Sequence, residues 1–211
     1  MLERIFVDDT VRALRPDFAV LLITAEGLVN GPSSGDLTVP EGDAAHVEAW
    51  REAYRGFGAN PKRTRPSVDA LLRRPELPGI NRVVDAYNGI SVRHSLPIGG
   101  EDLDAYQGPA RLVRADGTEP FETVKNGEPV IERPEPGEVI WRDDLGVTCR
   151  RWNWRQCTRT HITEQTKNAL FILERLAPYP LDLLREAGEE LATALHAISP
   201  DVTIATRLVE S

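Results

Sequence analysis

The sequence predicts an α/β fold, with both helices and strands, and three observations support that expectation. Residues 18–24 form an uninterrupted apolar run rich in β-branched side chains, which is typical of a strand buried on both faces. Residues 43–54 and 181–198 repeat apolar side chains at helical spacing, which indicates amphipathic helices. Residues 138–142 and 147–154 surround an Asp-Asp-Leu-Gly turn, which is the pattern of a β-hairpin.

Shorter patterns supply the remaining elements. Prolines and glycines separate them, since these residues mark defined turns. In chain order we expect an edge strand at residues 2–7, a helical turn at 9–15, a surface loop at 30–42, a helix at 67–74, a helix that begins at Ile80, a tight corner at 97–100, strands at 110–114 and 129–131, a helix capped by Thr163 and mostly buried over 168–176, and a last strand at 202–209.

Length and charge limit the organisation and the partners of the chain. The 211 residues are enough for one substantial core, and we expect a single domain over residues 1–211. A net charge of −8 argues against nucleic-acid binding over the whole surface but not against a local basic patch. The N-terminus lacks the features of a signal peptide, and no apolar run approaches the ~20 residues of a membrane span, so we expect a cytoplasmic protein.

The cysteines, histidines and glycines predict neither a metal nor a cofactor. Cys149 and Cys157 do not match common zinc spacing, and we interpret them as reduced thiols. The four histidines lie in different elements, without a metal-binding spacing. His94, near a helix end, is either a cap or core residue or part of a site. No glycine motif matches a phosphate loop or a dinucleotide site.

One predicted helix carries a polar but almost uncharged stripe. Asn81, Asp85, Asn88 and Ser91 follow one another at helical spacing beside an apolar stripe that starts at Ile80. Asn and Asp are poor residues for a helix interior because they compete for backbone hydrogen bonds, so their concentration needs a tertiary cause. Either these side chains tie the helix to neighbouring loops, or they line a site.

A basic turn and a pair of glycines flank this helix. Lys62, Arg63 and Arg65 precede the helix at residues 67–74 and are either a phosphate contact or a solvated surface. Gly99 and Gly100 permit conformations and close approaches that other residues do not, and their N–H groups can face a ligand oxygen.

Basic and aromatic side chains alternate on the strand predicted at residues 147–154. Arg150, Trp152 and Trp154 would share one face of that strand. Such a surface either stacks bases, each worth ~1–3 kcal/mol, or forms an aromatic core face beneath a helix. The pattern is compatible with both.

An ordered set of short motifs runs through the chain from about residue 2 to residue 176. They include Gly58-x-Asn60-Pro61, Arg65-Pro66-Ser67, Leu77-Pro78-x-Ile80-Asn81-x-x-Val84-Asp85-x-Tyr87-Asn88, Ile98-Gly99-Gly100-x-Asp102-Leu103-Asp104, Glu119-Pro120-Phe121 and Cys149-Arg150-x-Trp152-Asn153-Trp154-Arg155. As a set, they resemble the free-standing B3/B4-domain proteins. These are relatives of the editing module in the β subunit of bacterial phenylalanyl-tRNA synthetase.

The resemblance implies a mixed α/β fold of the B3/B4 type, in which helices flank a mixed sheet. It also implies the aminoacylated end of a tRNA as partner. In the synthetase module, the ester of a tRNA mischarged with tyrosine is hydrolysed by a positioned water, without a covalent enzyme intermediate. For such a partner, we expect the basic turn to contact tRNA phosphates through Lys62, Arg63 and Arg65. The resemblance implies a substrate pocket with Asn81, Asp85, Asn88 and Ser91 as its wall, His94 beside it, Gly99 and Gly100 as backbone donors, Arg114 and Glu119 as polar contacts, and Asn153 as an orienting amide.

Gly99 departs from the synthetase motif, which has histidine at this position of its Gln-Pro-x-His-Ala-Phe-Asp sequence. The leading hypothesis is a stand-alone deacylase of mischarged aminoacyl-tRNA, with a pocket enlarged at Gly99 for a bulkier or different side chain. One alternative is a binding module of the same fold that recognises tRNA or a small molecule without catalysis. Another is an enzyme that uses the same pocket for a small molecule.

Overall fold

The computed structural model describes residues 2–210, which form five α-helices and thirteen β-strands. The helices are α1 (Asp9–Leu14), α2 (Ala44–Gly56), α3 (Ser67–Leu71), α4 (Arg82–His94) and α5 (Leu181–Ile198). The strands are β1 (Phe6–Val7), β2 (Ala19–Glu26), β3 (Leu37–Thr38), β4 (Glu76–Leu77), β5 (Ile98–Asp102), β6 (Arg111–Arg114), β7 (Phe121–Lys125), β8 (Glu128–Glu132), β9 (Val139–Arg142), β10 (Val147–Arg150), β11 (Arg155–Gln156), β12 (Asn168–Arg175) and β13 (Thr203–Glu210).

Nine of these strands form two larger sheets. The four-stranded sheet has the order β13-β2-β12-β5 and is antiparallel throughout. The five-stranded sheet has the order β1-β6-β9-β10-β11, and only its β1–β6 pair is parallel. The remaining strands pair as two short ribbons, β3–β4 and β7–β8. The predicted mixed α/β fold with flanking helices is confirmed.

The four-stranded sheet separates two apolar clusters. Leu21 and Ile23 of β2 share one cluster with side chains of α4 and α5. Val20 and Leu22 share the other with side chains of α2 and the five-stranded sheet. β2 is therefore buried on both faces, which explains its continuous apolar sequence. The candidate site lies in the space between the two sheets.

Both long amphipathic helices occupy the residues that their periodicity predicts. α5 has the predicted bounds. α2 begins after Asp43, whose carboxylate accepts the N–H groups of Ala45 at 2.9 Å and His46 at 3.3 Å, and it ends with Gly56. No helix within residues 2–210 is long and apolar enough to cross a membrane.

The helix predicted at residues 168–176 is wrong, because this segment forms strand β12. β12 lies between β2 and β5 and is buried on both faces, so its apolar run shows neither the helical nor the alternating period. Thr163 is accordingly not an N-cap. It lies in a turn, where its carbonyl accepts the N–H of Thr166 at 3.2 Å.

The tight corner predicted at residues 97–100 is also wrong, because the glycine pair belongs to strand β5. Gly99 lies opposite Ile172 and Gly100 lies opposite Phe171 on β12. Packing explains the second glycine, since a Cβ atom at Gly100 would lie 2.7 Å from both Tyr87 Cε1 and Ile162 Cδ1. Gly100 therefore lets the Tyr87 ring lie directly on the sheet.

The strand predicted at residues 147–154 ends at Arg150. Arg151 and Trp152 adopt left-handed backbone conformations, with φ of 47° and 66°, and turn the chain into β11. The turn breaks the expected alternation. Trp152 is fully buried with its ring 5.4 Å from that of Trp50, whereas Trp154 is half-buried with the Arg151 guanidinium 4.4 Å from its ring centroid. The aromatic core interpretation therefore holds for Trp152.

Other differences concern the ends of elements. The helix expected from Ile80 begins at Arg82, because Asn81 is its N-cap, and the Ile80 side chain is 56% exposed rather than part of an apolar stripe. α3 ends at Leu71 and so is shorter than predicted. Of the edge strand predicted at residues 2–7, only Phe6–Val7 is extended. Strands β3, β4, β7 and β11 have no counterpart among the predicted strands.

Candidate functional site

A cavity of about 230 Å³ lies between α3, α4 and the facing sides of the two sheets. Side chains of both helices, of β5 and β12, and of the segment from β9 to β11 line it. The residues that matter for its chemistry are Gly99, Glu101, Cys149, Asn153 and Glu174.

Strands β5 and β12 form the floor of the cavity and place an acidic side chain at each end. Gly99 lies opposite Ile172 and Glu101 lies opposite Leu170, so these side chains share one face of the sheet. Glu174 is on the same face of β12. At ~3.3 Å per residue, the two acidic positions are about 13 Å apart along the sheet. Both acids are buried, with exposed fractions of 1% for Glu101 and 2% for Glu174.

The carboxyl group of Glu174 is held by two donors. Trp141 Nε1 donates to Oε1 and Asn153 Nδ2 donates to Oε2, both at 2.9 Å. Asn153 is itself fixed, because its Oδ1 atom accepts the Tyr54 hydroxyl at 2.9 Å. Burial raises the pKa of Glu174 to about 8 even though the donors favour its ionised form. Glu174 is therefore mostly a neutral acid at pH 7.

Glu101 has a similar environment at the other end of the floor. The Tyr106 hydroxyl donates to its Oε2 atom and also lies 3.3 Å from the Thr148 hydroxyl. Burial raises the pKa of Glu101 to about 7, against the opposing effect of hydrogen bonds from Tyr106, Thr148 and Gln156. Both protonation states of Glu101 are therefore populated near neutral pH.

Neither acid has a basic side chain within 4 Å among residues 2–210. Three other buried carboxylates do: Asp69 pairs with Arg51 at 2.7 Å, Glu138 with Arg150 at 2.8 Å and Asp143 with Arg159 at 2.9 Å. Buried carboxylates are normally compensated in this way, because an isolated charge is costly to remove from water. The cavity therefore contains two acids that the protein itself leaves without a cation.

Cys149 lines the cavity but is not chemically poised as a nucleophile. It is 6% exposed, and burial raises the pKa of its thiol, with a further contribution from the negative charges of Glu101 and Glu174. Since the thiolate is the nucleophilic form, the thiol is inert at neutral pH. Cys157 is also buried and its pKa is raised too.

We therefore expect native protein at pH 7.5 to react slowly with iodoacetamide. Intact-mass measurements should show little alkylation over a time in which urea-denatured protein acquires two adducts. The denatured sample serves as the control for accessibility. Rapid addition of one adduct at Cys149 in the native protein would contradict the assignment of an inert thiol.

Three predicted pocket residues line the cavity. Asn88 is on the cavity side of α4, Gly99 is in the floor, and Asn153 holds Glu174. Gly99 leaves space above it, since a Cβ atom there would meet only Gln156 Nε2, at 3.8 Å.

Three residues of the polar stripe have structural roles instead of forming the cavity wall. Asn81 caps α4 by accepting the Val84 N–H at 3.0 Å, and it also binds Asn30 and the Ile162 carbonyl. Asp85 accepts the Ile80 N–H at 2.8 Å. Ser91 donates to the Leu96 carbonyl at 2.6 Å. They tie α4 to its neighbouring loops, which was one of the two interpretations of the stripe.

Four further candidates also lie away from the cavity lining. His94 contacts Glu190 at 2.7 Å near the end of α4, and Gly100 packs beneath Tyr87. Arg114 donates to the Gly137 carbonyl at 2.5 Å, and Glu119 accepts the N–H groups of residues 116 and 117. None of these four residues lines the cavity. Within residues 2–210, no group of three or more His, Cys, Asp or Glu side chains is arranged to hold a metal ion.

The basic turn directly precedes, in sequence, helix α3, which lines the cavity. Lys62 and Arg63 are exposed, whereas Arg65 lies 4.0 Å from Asp69. The turn leads into α3, whose Ser67, which is half-buried, lines the cavity. A polymer held by the turn would therefore be close to the rim of the cavity.

Sequence reasoning missed both acids of the floor. Glu174 follows an apolar run that was assigned to a helix, and Glu101 follows two glycines that were assigned to a corner. A signal does exist, because a carboxylate that ends a buried strand is unusual. It becomes visible only when residues 168–175 are recognised as a strand.

Comparisons with known proteins agree with this architecture. The B3/4 domain model matches residues 49–181. An N-terminal fragment of the phenylalanyl-tRNA synthetase β subunit from Pyrococcus horikoshii is similar in fold, with a TM-score of 0.53 and 14% identity over 98% of this chain and 54% of that chain. The chain thus spans about half the length of that fragment. A comparison with curated proteins gives no match. Since the domain match covers more than half of the sequence and includes every residue of the cavity, the chain belongs to the B3/4 domain family.

Proposed function

We propose that the protein hydrolyses the ester bond of an aminoacyl-tRNA whose acyl group enters this cavity. The observation that carries the proposal is the pair of buried acids without cation partners in an otherwise largely aromatic and apolar cavity. An acyl group with a free ammonium suits such a floor. The sequence resemblance to an editing module and the fold of the synthetase fragment support the same substrate class. A cytoplasmic location, where tRNA is found, is part of this proposal.

In the proposed reaction, the cavity holds the acyl group and a water molecule beside its carbonyl carbon. The water oxygen bonds to that carbon, the ester C–O bond breaks, and a proton passes to the leaving ribose oxygen. Positioning contributes most of the rate, since effective molarities of ~10⁵–10⁸ M are reached in well-oriented reactions. The Ser67 hydroxyl has no hydrogen-bond partner within residues 2–210 and lines the cavity, so it is available to bind the water or the carbonyl oxygen.

Release of amino acid from a panel of correctly charged and mischarged tRNAs tests the proposal. We expect release above the buffer rate for at least one amino acid, and a lower rate for Asn153→Ala, which leaves Glu174 without one of its donors. Glu26→Gln, an exposed acid at the end of β2, is the matched control and should retain the full rate. Release no faster than in buffer for every tRNA would exclude the reaction.

A binding module without catalysis is the second candidate, and Gly99 favours it. The synthetase motif has histidine at this position, whereas here the floor carries no side chain. This candidate requires that tRNA binds, with an affinity that falls steeply with salt, and that no ester is cleaved. Binding and release measured on the same samples separate the two functions.

Under either candidate, we propose that Lys62 and Arg63 contact tRNA phosphates. Changing both to glutamine should weaken tRNA binding and lower the slope of log affinity against log salt by roughly 0.7 to 0.9 for each phosphate that is no longer neutralised. Arg185→Gln removes a charge on α5, which packs on the face of the four-stranded sheet opposite to the cavity. This control should leave the slope unchanged. An unchanged slope in the double variant would show that the basic turn is only a solvated surface.

A further inference from the structure

A second concave surface, here named the cationic cleft, lies on the side of α3 away from the cavity. It has a volume of about 190 Å³ and is bounded by α2, the basic turn and α3. Ser67 and Leu71 of α3 line the cavity, whereas Asp69 lines the cleft. Two residues correspond to about 200° around a helix of 3.6 residues per turn, so α3 presents one side to each space.

The cationic cleft contains more cations than acids. Its two carboxylates are those of Glu48 and Asp69. Its five cationic side chains are Arg51, Arg55, Lys62, Arg65 and Arg73. The chain as a whole has a net charge of −8, so the sign of the charge is reversed locally. Concave surfaces of one sign raise the local concentration of ions of the opposite sign, so the cleft attracts anions although the protein is acidic.

Asp69 orients three of these arginines. Its buried carboxylate accepts hydrogen bonds from Arg51 Nε at 3.0 Å, Arg51 Nη2 at 2.7 Å and Arg73 Nε at 3.0 Å, and it lies 4.0 Å from Arg65 Nε. Among residues 2–210, Arg65 and Arg73 donate no hydrogen bond through their terminal nitrogens. These guanidinium groups are therefore oriented before a ligand arrives, and they retain donors for it.

We propose that the cationic cleft binds phosphate groups of an RNA backbone, at a site separate from the cavity. Planar guanidinium groups match the oxygen atoms of a phosphate, and several cations side by side suit a chain of phosphates. The cleft is continuous with the basic turn, because Lys62 belongs to both. The inference rests on the proposed function for the choice of RNA, and it extends the phosphate contacts from the turn to α2 and α3.

The position of the cleft relates it to the cavity. α3 separates the two spaces, and a helix with its side chains is ~10–12 Å wide. An RNA strand whose end occupied the cavity would cover that distance within about four nucleotides, at ~3.4 Å for each stacked nucleotide. The cleft would therefore supply affinity for the RNA that does not depend on the acyl group.

Binding of an uncharged tRNA transcript tests the inference, because this probe carries no acyl group. Its affinity is measured by fluorescence anisotropy over a range of salt concentrations. The cleft variant is Arg65→Gln with Arg73→Gln, and the control is Arg93→Gln with Arg185→Gln. Each control arginine is half-exposed and pairs with one acid of α5. Both double variants therefore change the net charge by the same amount.

We expect the cleft variant to bind the transcript more weakly than wild type. Its slope of log affinity against log salt should fall by about 0.7 to 0.9 for each of up to two phosphates that it no longer neutralises. The control should match wild type. Arg55→Gln leaves the arginines around Asp69 in place, since Arg55 pairs only with Glu48, and it should lower the slope by the equivalent of one phosphate even if the double variant does not fold.

Three results would overturn the inference. Wild type would fail to bind the transcript, the cleft variants would change no more than the control, or polyglutamate would bind more tightly than RNA at the same salt concentration. The last result would indicate an acidic protein partner instead.

Release of amino acid from charged tRNA separates this inference from the proposed reaction. Weaker binding of the transcript by the cleft variants would support the inference even if no ester were cleaved. Release with an unchanged KM in the cleft variants would overturn the inference and leave the proposed reaction standing.

Discussion

Replacing Gly99 with leucine is expected to abolish the proposed release of amino acid from tRNA without loss of the fold. Gly99 has no left-handed backbone conformation, and a Cβ atom there meets only the end of the Gln156 side chain at 3.8 Å, so a larger residue fits the strand. The isobutyl group would project from the floor into the space that the acyl group needs. We expect kcat/KM to fall by at least about 100-fold, since the bound geometry controls the rate.

Gly100→Ala is the informative companion to this variant. Its Cβ atom would approach Tyr87 and Ile162 to 2.7 Å, on the other face of the strand. We expect a loss of stability of about 1–3 kcal/mol from overpacking and a cavity of unchanged lining. Urea unfolding and release assays on both variants should separate the two roles: Gly99→Leu should lose release and keep its stability, whereas Gly100→Ala should lose stability and keep release. Full activity in Gly99→Leu would show that the cavity is not the site.

Replacing Glu174 with glutamine is expected to remove a strong pH dependence of stability. The folded pKa of about 8 lies above the ordinary value of 4.5, so the folded state retains a proton that the unfolded state loses. That contribution is complete below pH 4.5 and is lost as pH rises towards 8. The free energy of unfolding of wild type should therefore fall relative to Glu174→Gln, by up to about 1.4 kcal/mol per pH unit.

Urea unfolding of both proteins at pH 5, 6, 7, 8 and 9 measures this difference. At pH 5 the variant should be no more stable than wild type, because its amide nitrogen cannot accept a hydrogen bond where a carboxyl oxygen accepts one. At pH 9 the variant should be more stable than wild type. The total change should be on the order of a few kcal/mol. Glu26→Gln changes an exposed side chain, so its free energy of unfolding should depend on pH in the same way as that of wild type. Parallel curves for wild type and Glu174→Gln would mean that Glu174 ionises normally.

The sequence predicts the outer elements of this fold better than its central strands. α5 shows a clear 3.6-residue period because one of its faces is exposed, and its bounds are predicted correctly. β12 has no period, because α4 and α5 cover one face of its sheet and the five-stranded sheet covers the other. A short apolar run is compatible with a buried helix or a buried strand, and only its neighbours decide between them.

The candidate site was predictable only in part, for a related reason. Asn88, Gly99 and Asn153 were identified from motifs, and they do line the cavity. Asn81 and Ser91 have the same polar character but complete the two ends of α4, a role that depends on which loops lie beside them. Composition cannot separate an amide that caps a helix from one that faces a cavity, because both satisfy the same hydrogen-bonding requirement.

The position of β5 at the edge of its sheet makes the cavity depend on strand register. Alternate residues of β5 lie on opposite faces of the strand. Gly99 and Glu101 are on the face that forms the cavity floor, while Ile98 and Gly100 are on the face that packs against α4. A slip of one residue against β12 would exchange the two sets. The Glu101 carboxyl group would then lie beneath Tyr87. A one-residue insertion or deletion between α4 and β5 that shifted this pairing would therefore eliminate the cavity rather than reshape it, so the length of this connection is as much a determinant of the site as any side chain in it.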